Sequence, residues 1–94
     1  MIRSFKSREA RRIWEGAVSK RLPPDIQPVV RRKLRMLHNA RILGDLRIPP
    51  GNRLEELKGE LKNWYSIRVN DKWRICFLWD GADAQEIDIL DYHH

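Results

Sequence analysis

Two hydrophobic periods divide the chain. From Lys6 to about Lys20, Ala10, Ile13, Trp14 and Ala17 recur at the i, i+3, i+4, i+7 spacing that gathers apolar residues on one helix face. Arg8, Glu9, Arg11, Arg12 and Glu15 take the opposite side. Leu22-Pro23-Pro24 ends this helix, because proline removes an amide donor and biases the residue before it away from helical torsions. Asp25 then reads as an N-cap, with Pro28 acceptable in the first turn. Ile26, Val30, Leu34 and Leu37 line one face of a second helix to about Ala40, with Arg31, Arg32 and Arg35 on its outer surface. Ile2 to Phe5, ahead of both helices, alternates like an edge strand. Ile42 to Ile48 is a turn of helix or irregular, and Pro49-Pro50-Gly51-Asn52 breaks the pattern.

After that break the period falls to two. Leu54 to Leu57 predicts a strand and Lys58-Gly59 a turn. Over Lys62 to Val69, Tyr65, Ile67 and Val69 share one face, and Trp64, Ser66 and Arg68 the other. Asn70-Asp71 predicts a tight turn, followed by Trp73, Ile75, Phe77 and Trp79 alternating with Lys72, Arg74, Cys76 and Leu78. Asp80-Gly81 signals a hairpin whose loop Ala82 to Ala84 would lengthen, and Ile87 and Ile89 alternate with Glu86 and Asp88 in a last strand. The expected class is α+β, one domain over residues 1–94. An N-terminal strand and a two-helix hairpin pack on a three- to four-stranded antiparallel sheet, leaving the other sheet face open for binding.

Ninety-four residues suffice for one domain. With 41% apolar residues and four Trp the chain can form a core, which excludes wholesale disorder. No apolar run approaches the roughly 18 residues of a membrane helix, and the N-terminus lacks a secretory apolar segment, so a cytoplasmic location and no membrane partner are expected. A single cysteine, Cys76, excludes an internal disulfide framework and a multi-cysteine zinc site. The charge is uneven. Residues 1–53 carry 14 Lys and Arg against 4 Asp and Glu, whereas residues 54–94 carry 5 against 9. Thirteen of the 19 basic residues are Arg, suited to bidentate phosphate contact. A polyanion would fit the basic half; solvated helix faces are the plainer explanation of the same charges.

Candidate chemistry is narrow. His38, His93 and His94 have no metal-ligand spacing, Cys76 falls mid-strand among apolar residues, and no Gly-rich phosphate loop exists, so no metal or cofactor is expected. Arg74 stands in a strand otherwise built of Trp, Ile, Cys, Phe, Leu and Trp. A guanidinium there either pairs with a carboxylate on a neighbouring strand or aims at a bound anion. Asp91-Tyr92-His93 puts a carboxylate, a phenol and an imidazole directly after the last strand. RNA brings its own nucleophile, the 2′-hydroxyl, so such groups need only move protons and stabilise charge.

Three segments together resemble the HigB-type, plasmid-maintenance killer toxins of the RelE/ParE superfamily. These are Asn52-Arg-Leu-Glu-Glu-Leu-Lys-Gly59, Trp64-Tyr-Ser-Ile-Arg-Val-Asn-Asp-Lys-Trp-Arg-Ile-Cys-Phe77 and Glu86-Ile-Asp-Ile-Leu-Asp-Tyr-His93. Met1-Ile-Arg-Ser-Phe-Lys6, Leu22-Pro-Pro24 and Pro49-Pro-Gly-Asn52 extend the likeness over essentially the whole chain. The resemblance implies a RelE-like fold and a type II toxin that cuts translated messenger RNA on the ribosome. It implies a HigA-type helix-turn-helix antitoxin as partner, with operator DNA reached only through that antitoxin. It places Lys58 and Arg74 on the scissile phosphate, His93 with Asp91 or Glu55 in proton transfer, and Tyr92 in orienting or stacking on a base. Glu55 stands where some members carry a histidine, so a carboxylate would replace an imidazole there. The basic residues Arg8, Arg11, Arg12, Arg31, Arg32, Arg35 and Arg68 would then bind RNA or the ribosome. A ParE-like gyrase inhibitor and a non-enzymatic RNA-binding regulator are the alternatives.

Overall fold

The computed structural model describes residues 1–59 and 62–91. Ser7 begins α1 (Arg8–Trp14), its hydroxyl accepting from the Ala10 amide at 3.1 Å in the N-cap position. The helix ends well short of Lys20. Gly16 adopts φ +89°, the Gly16 N–H donates to Ile13 O at 3.1 Å, and the Ala17 N–H donates to Arg12 O at 2.8 Å. Those paired bonds close a Schellman turn, a conformation open to glycine and strained for other residues. The chain beyond it is held by side chains. Gln27, buried, accepts from Ser19 N at 3.0 Å and donates to Ser19 O and Leu22 O at 2.8 and 2.9 Å.

A 3₁₀ turn, Pro24–Ile26, leads into α2 (Gln27–Asn39). Asp25 does not cap this helix: it is exposed inside the 3₁₀ turn, and Ile26 occupies the N-cap position without a side-chain bond. The expected stripe of Ile26, Val30, Leu34 and Leu37 is buried throughout. Arg31 turns inward instead of lying on the outer face. Its Nε donates to Ile13 O at 3.2 Å and its Nη2 to Ala17 O at 3.5 Å, tying the end of α1 to α2. Such a guanidinium adds donors to carbonyls at and just past the end of a helix.

Four strands follow: β1 (Glu55–Glu56), β2 (Trp64–Arg68), β3 (Trp73–Asp80) and β4 (Asp83–Asp91), antiparallel in the order β1-β2-β3-β4. Asn70 makes the β2–β3 turn by accepting from Lys72 N and Trp73 N at 2.9 and 2.8 Å. The β3–β4 hairpin is tighter than its sequence suggests: Asp80 pairs with Asp83, leaving only Gly81 and Ala82 between. Cys76 pairs with Asp88 but Leu78 with Gln85, so Phe77 faces two residues of a bulge in which Glu86 takes φ +51°. Ser4 braces that bulge, its hydroxyl accepting from Glu86 N at 2.9 Å.

Ile67, Ile75, Phe77, Ala84 and Ile87 face Ala10, Ile13 and the α2 stripe in one core. Each such large apolar side chain contributes about 1.5–3 kcal/mol by leaving water. The N-terminal residues form isolated parallel bridges, Ile2 with Ala84 and Phe5 with Ile87, along the outer edge of β4 rather than a full strand. Asp83 fastens them: Arg3 Nε donates to its Oδ2 at 3.1 Å, and the α-amino group lies 3.6 Å from its Oδ1.

The Arg3 bond, then the neighbouring positive charges, hold the Asp83 carboxyl below the ordinary aspartate range. That carboxylate therefore stabilises the fold fully above the unfolded pKa of about 3.9, and the contribution is lost as pH falls through the lower folded value. Hydrogen exchange at the Arg3 and Ala84 amides, corrected for intrinsic rate, is expected to accelerate on acidification through that window. Asp83→Asn should give the same acceleration already at neutral pH.

Candidate active site on the second sheet face

The sheet face turned away from the helices carries the polar half of each strand. Glu55 is opposite Ser66, Ser66 opposite Cys76, and Cys76 opposite Asp88, which makes one row across all four strands. Arg68, Arg74 and Leu90 form the next row. Although no helix among the described residues covers this face, Ser66, Arg74 and Cys76 are buried, so its centre is a floor beneath a rim.

Arg74 organises that floor. Its Nε donates to Ser66 Oγ at 2.8 Å, and its Nη2 donates to Arg53 O at 2.5 Å and Ser66 O at 3.2 Å. Glu55 Oε2 stands 3.9 Å from Nη2 and is largely exposed, whereas the Arg74 side chain is only 10% exposed. Where the sequence suggested a neighbouring carboxylate or a bound anion, the direct bonds of Arg74 go to a hydroxyl and two carbonyls, with the Glu55 carboxylate at the limit of an ion pair. A planar fork of donors suits several acceptors held at fixed angles. Glu56 points to the opposite face, where it and burial raise the Tyr65 phenol above its usual range, burial contributing most.

The Arg53 carbonyl is itself held from behind. Lys33 on α2 is buried and donates from Nζ to Asn52 Oδ1 at 2.6 Å, while Asn52 Nδ2 donates to Leu46 O at 3.2 Å. Burial first, then repulsion from Arg32, Arg68 and Arg74, holds the Lys33 ammonium below the ordinary lysine range. Lys33, Asn52, Arg53 and Arg74 thus form a chain of contacts linking the second helix to the site. Nothing in the apolar stripe of α2 marks Lys33 for this role. The one signal is a lysine directly before core residue Leu34 and one helical turn after Val30.

The other expected residues divide. Lys58 is exposed just past β1, beside a hollow that it shares with Glu56, Leu57, Gly59 and Lys62. Asp91 pairs with Trp73, and strand alternation puts it on the helix side of the sheet, opposite Arg74. Tyr92 and His93 lie outside the described residues. Arg68 is bound to Asp71 Oδ1 at 2.5 Å across the turn. Arg8, Arg32 and Arg35 are exposed. Arg11 lies over the Phe5 ring at 5.9 Å, and Arg12 Nη2 donates to Val18 O at 3.3 Å. Arg31 is spent on the α1 carbonyls. Among the described residues, no group of three or more His, Cys, Asp or Glu is arranged to hold a metal ion.

A model of the RelE-like toxins of the HigB type II toxin-antitoxin system matches residues 3–93. The chain belongs to this family. It is the toxin of such a module, and the likeness of its segments is that of a HigB protein throughout. Among relatives, it is 45% identical over 84 residues to Toxin HigB-1 of Vibrio cholerae, covering 87% of this chain and 88% of that one. It is 31% identical over 97 residues to Endoribonuclease HigB of Proteus vulgaris, covering 99% and 100%. The fold matches a YoeB-YefM complex from Staphylococcus aureus with TM-score 0.62 and 17% identity, over 100% of this chain and 99% of that one. The YoeB dimer from the same organism matches with TM-score 0.60 and 19% identity, over 99% and 95%. A RelE-like fold is therefore the observed one.

The bonding of Arg74 predicts separable effects on stability. Arg74→Lys keeps the charge but cannot reach Ser66 and Arg53 together, and should cost about 2 kcal/mol, within the range for hydrogen bonds to charged groups. Glu55→Gln, exposed and at the distance limit of an ion pair, should change stability by less than about 1 kcal/mol. Urea denaturation of the two variants measures both.

Proposed function

We propose that this HigB-family toxin is a ribosome-dependent endoribonuclease that cleaves translated messenger RNA. The observation that carries the reading is the carboxylate of Glu55, exposed beside the buried Arg74 and followed by exposed Lys58, on a sheet face that no helix among the described residues covers. The relative named Endoribonuclease HigB, aligned over nearly the whole chain, supports the same class of activity.

The 2′-hydroxyl of the RNA attacks the adjacent phosphorus while a base removes its proton. The P–O5′ bond breaks and an acid protonates the leaving 5′-oxygen, giving a 2′,3′-cyclic phosphate and a 5′-hydroxyl. Glu55, acceptor-only as a carboxylate, takes the first proton in this scheme. Lys58 contacts the phosphate directly. Arg74 lends its charge from beneath and positions Glu55. With Glu55 as the base, His93 is left as the acid, and Tyr92 orients or stacks on a base. Asp91, on the opposite pleat, is left out of contact with this phosphate. Every step is proton transfer or charge stabilisation around a nucleophile that RNA supplies, so no metal ion is needed. The partner is a HigA-type antitoxin, which silences the toxin and carries it to operator DNA. The exposed Arg8, Arg12, Arg32 and Arg35 bind ribosomal RNA.

Purified toxin added to translating ribosomes is expected to produce messenger fragments with 2′,3′-cyclic phosphate ends. Glu55→Gln should slow cleavage by about 10²–10⁴-fold, the usual share of an acid–base group. Inhibition without fragments, or gyrase poisoning, would reject the nuclease. Reversing Arg8, Arg12, Arg32 and Arg35 should weaken ribosome binding and flatten its salt dependence, because each phosphate contact releases counterions.

A further inference from the structure

Beyond the reacting groups, the second sheet face holds a small hollow that the scheme above does not use. Its floor is the buried thiol of Cys76, and its walls are Trp64, Leu57, Leu90, Lys6 and Asp88. The space is about 100 Å³, well below the roughly 300–1,000 Å³ of pockets that enclose a drug-sized ligand. One flat group fits there and a whole ligand does not. Trp64 supplies an indole, and Leu57 and Leu90 supply apolar edges, as a stacking platform requires. Lys6 and Asp88 add one donor and one acceptor group at the rim. The Asp88 Oδ1 already accepts from Ile89 N at 2.8 Å, which fixes the carboxylate and leaves its second oxygen for another donor.

Leu57 is shared with the neighbouring hollow of Lys58 and Lys62. An apolar slot and a dibasic hollow with a common wall match the two parts of a nucleotide, its base and its phosphate. We propose that the hollow over Cys76 is a nucleobase pocket, in which a base of the RNA stacks on Trp64 and presents an amino group to Asp88. This rests on the RNA-cleaving reading above and extends it to base preference. Adenine, cytosine and guanine carry exocyclic amines, whereas the exocyclic groups of uracil are carbonyls that flank its one ring donor, N3–H, and repel a carboxylate. The pocket therefore favours the three amino-bearing bases over uracil.

The test is an NMR titration of the intact toxin with AMP, CMP, GMP and UMP, following the Trp64 indole and the Leu57 and Leu90 methyls. The amino-bearing nucleotides are expected to move these signals, with UMP at least about fivefold weaker. Trp64→Ala should weaken binding by about tenfold, a typical loss for one stacked base, while Trp64→Phe, safer for the fold, retains it. Asp88→Asn should bring UMP level with the others. Shifts confined to Lys58, Lys62 or the helix arginines would overturn the proposal, as would an unchanged base order in Asp88→Asn. So would a Trp64 signal that responds only to a protein partner. Nucleotide binding here without messenger cleavage keeps the pocket and removes the nuclease; cleavage with a silent Trp64 does the reverse.

Discussion

A single guanidinium sits where three separately folded pieces of the chain have to meet. Arg74 projects from the middle of β3, bonds the β2 residue Ser66, and holds the Arg53 carbonyl at the entrance to β1. β1 has only two residues, too few for ladder bonds alone to keep it at the sheet edge. Its position depends on Arg74 from one side and on the Lys33–Asn52 bond from the other. A buried charge is costly to maintain, and that cost is offset here only because fixed acceptors occupy its donors. Once they do, Glu55 has a defined place beside a cation. In the proposed scheme structural and chemical work fall to the same group, so Arg74 matters for stability as much as for activity.

The fold was legible wherever a period could be read. The α2 stripe and the alternation of β3 specify which side of each element is buried, and a one-residue error in a strand would have reversed it. The misreadings have one physical source: short-range geometry overrode a longer pattern. Ala17 continued the helical spacing of α1, yet Gly16 permits a left-handed torsion and a tighter set of hydrogen bonds closes the helix first. Asp25 looked like a cap, yet the two prolines before it set up a 3₁₀ turn that moves the helix start past it. Arg31 sat on the apparent solvent side, but helix ends leave carbonyls open, and periodicity carries no information about where those ends will lie.

The site was legible in part for a related reason. Arg74 was conspicuous because a charge interrupts an apolar strand, and Glu55 because it stands in a recognisable segment. Trp64, Cys76 and Asp88 gave no such contrast, each being ordinary for the outer face of a strand. They become neighbours only through the register of β2, β3 and β4, and Lys6 joins them because the N-terminal segment runs along β4. Register depends on turn lengths and on the bulge opposite Phe77, and apolar alternation reveals neither.

The arrangement also separates two electrostatic tasks. The exposed arginines of α1 and α2 lie on the helix layer, and the Glu55–Arg74 pair lies on the other side of the sheet. The domain measures 26 Å along its shortest axis, about three times the screening length of roughly 8 Å at physiological ionic strength. On the proposed reading, the outer helix charges raise the local concentration of RNA and act little on the scissile phosphate, although Arg32 still reaches Lys33 behind the site. Groups that must act on that phosphate have to come from the sheet face itself, where Arg68 is already committed to Asp71 and Arg74 to Ser66. That leaves Arg53, Lys58 and Lys62 as the exposed cations among the described residues around β1 and the start of β2, with Lys58 and Lys62 sharing one hollow. In the proposed scheme the short connection after β1, rather than the arginine-rich helices, is where phosphate binding and catalysis are joined.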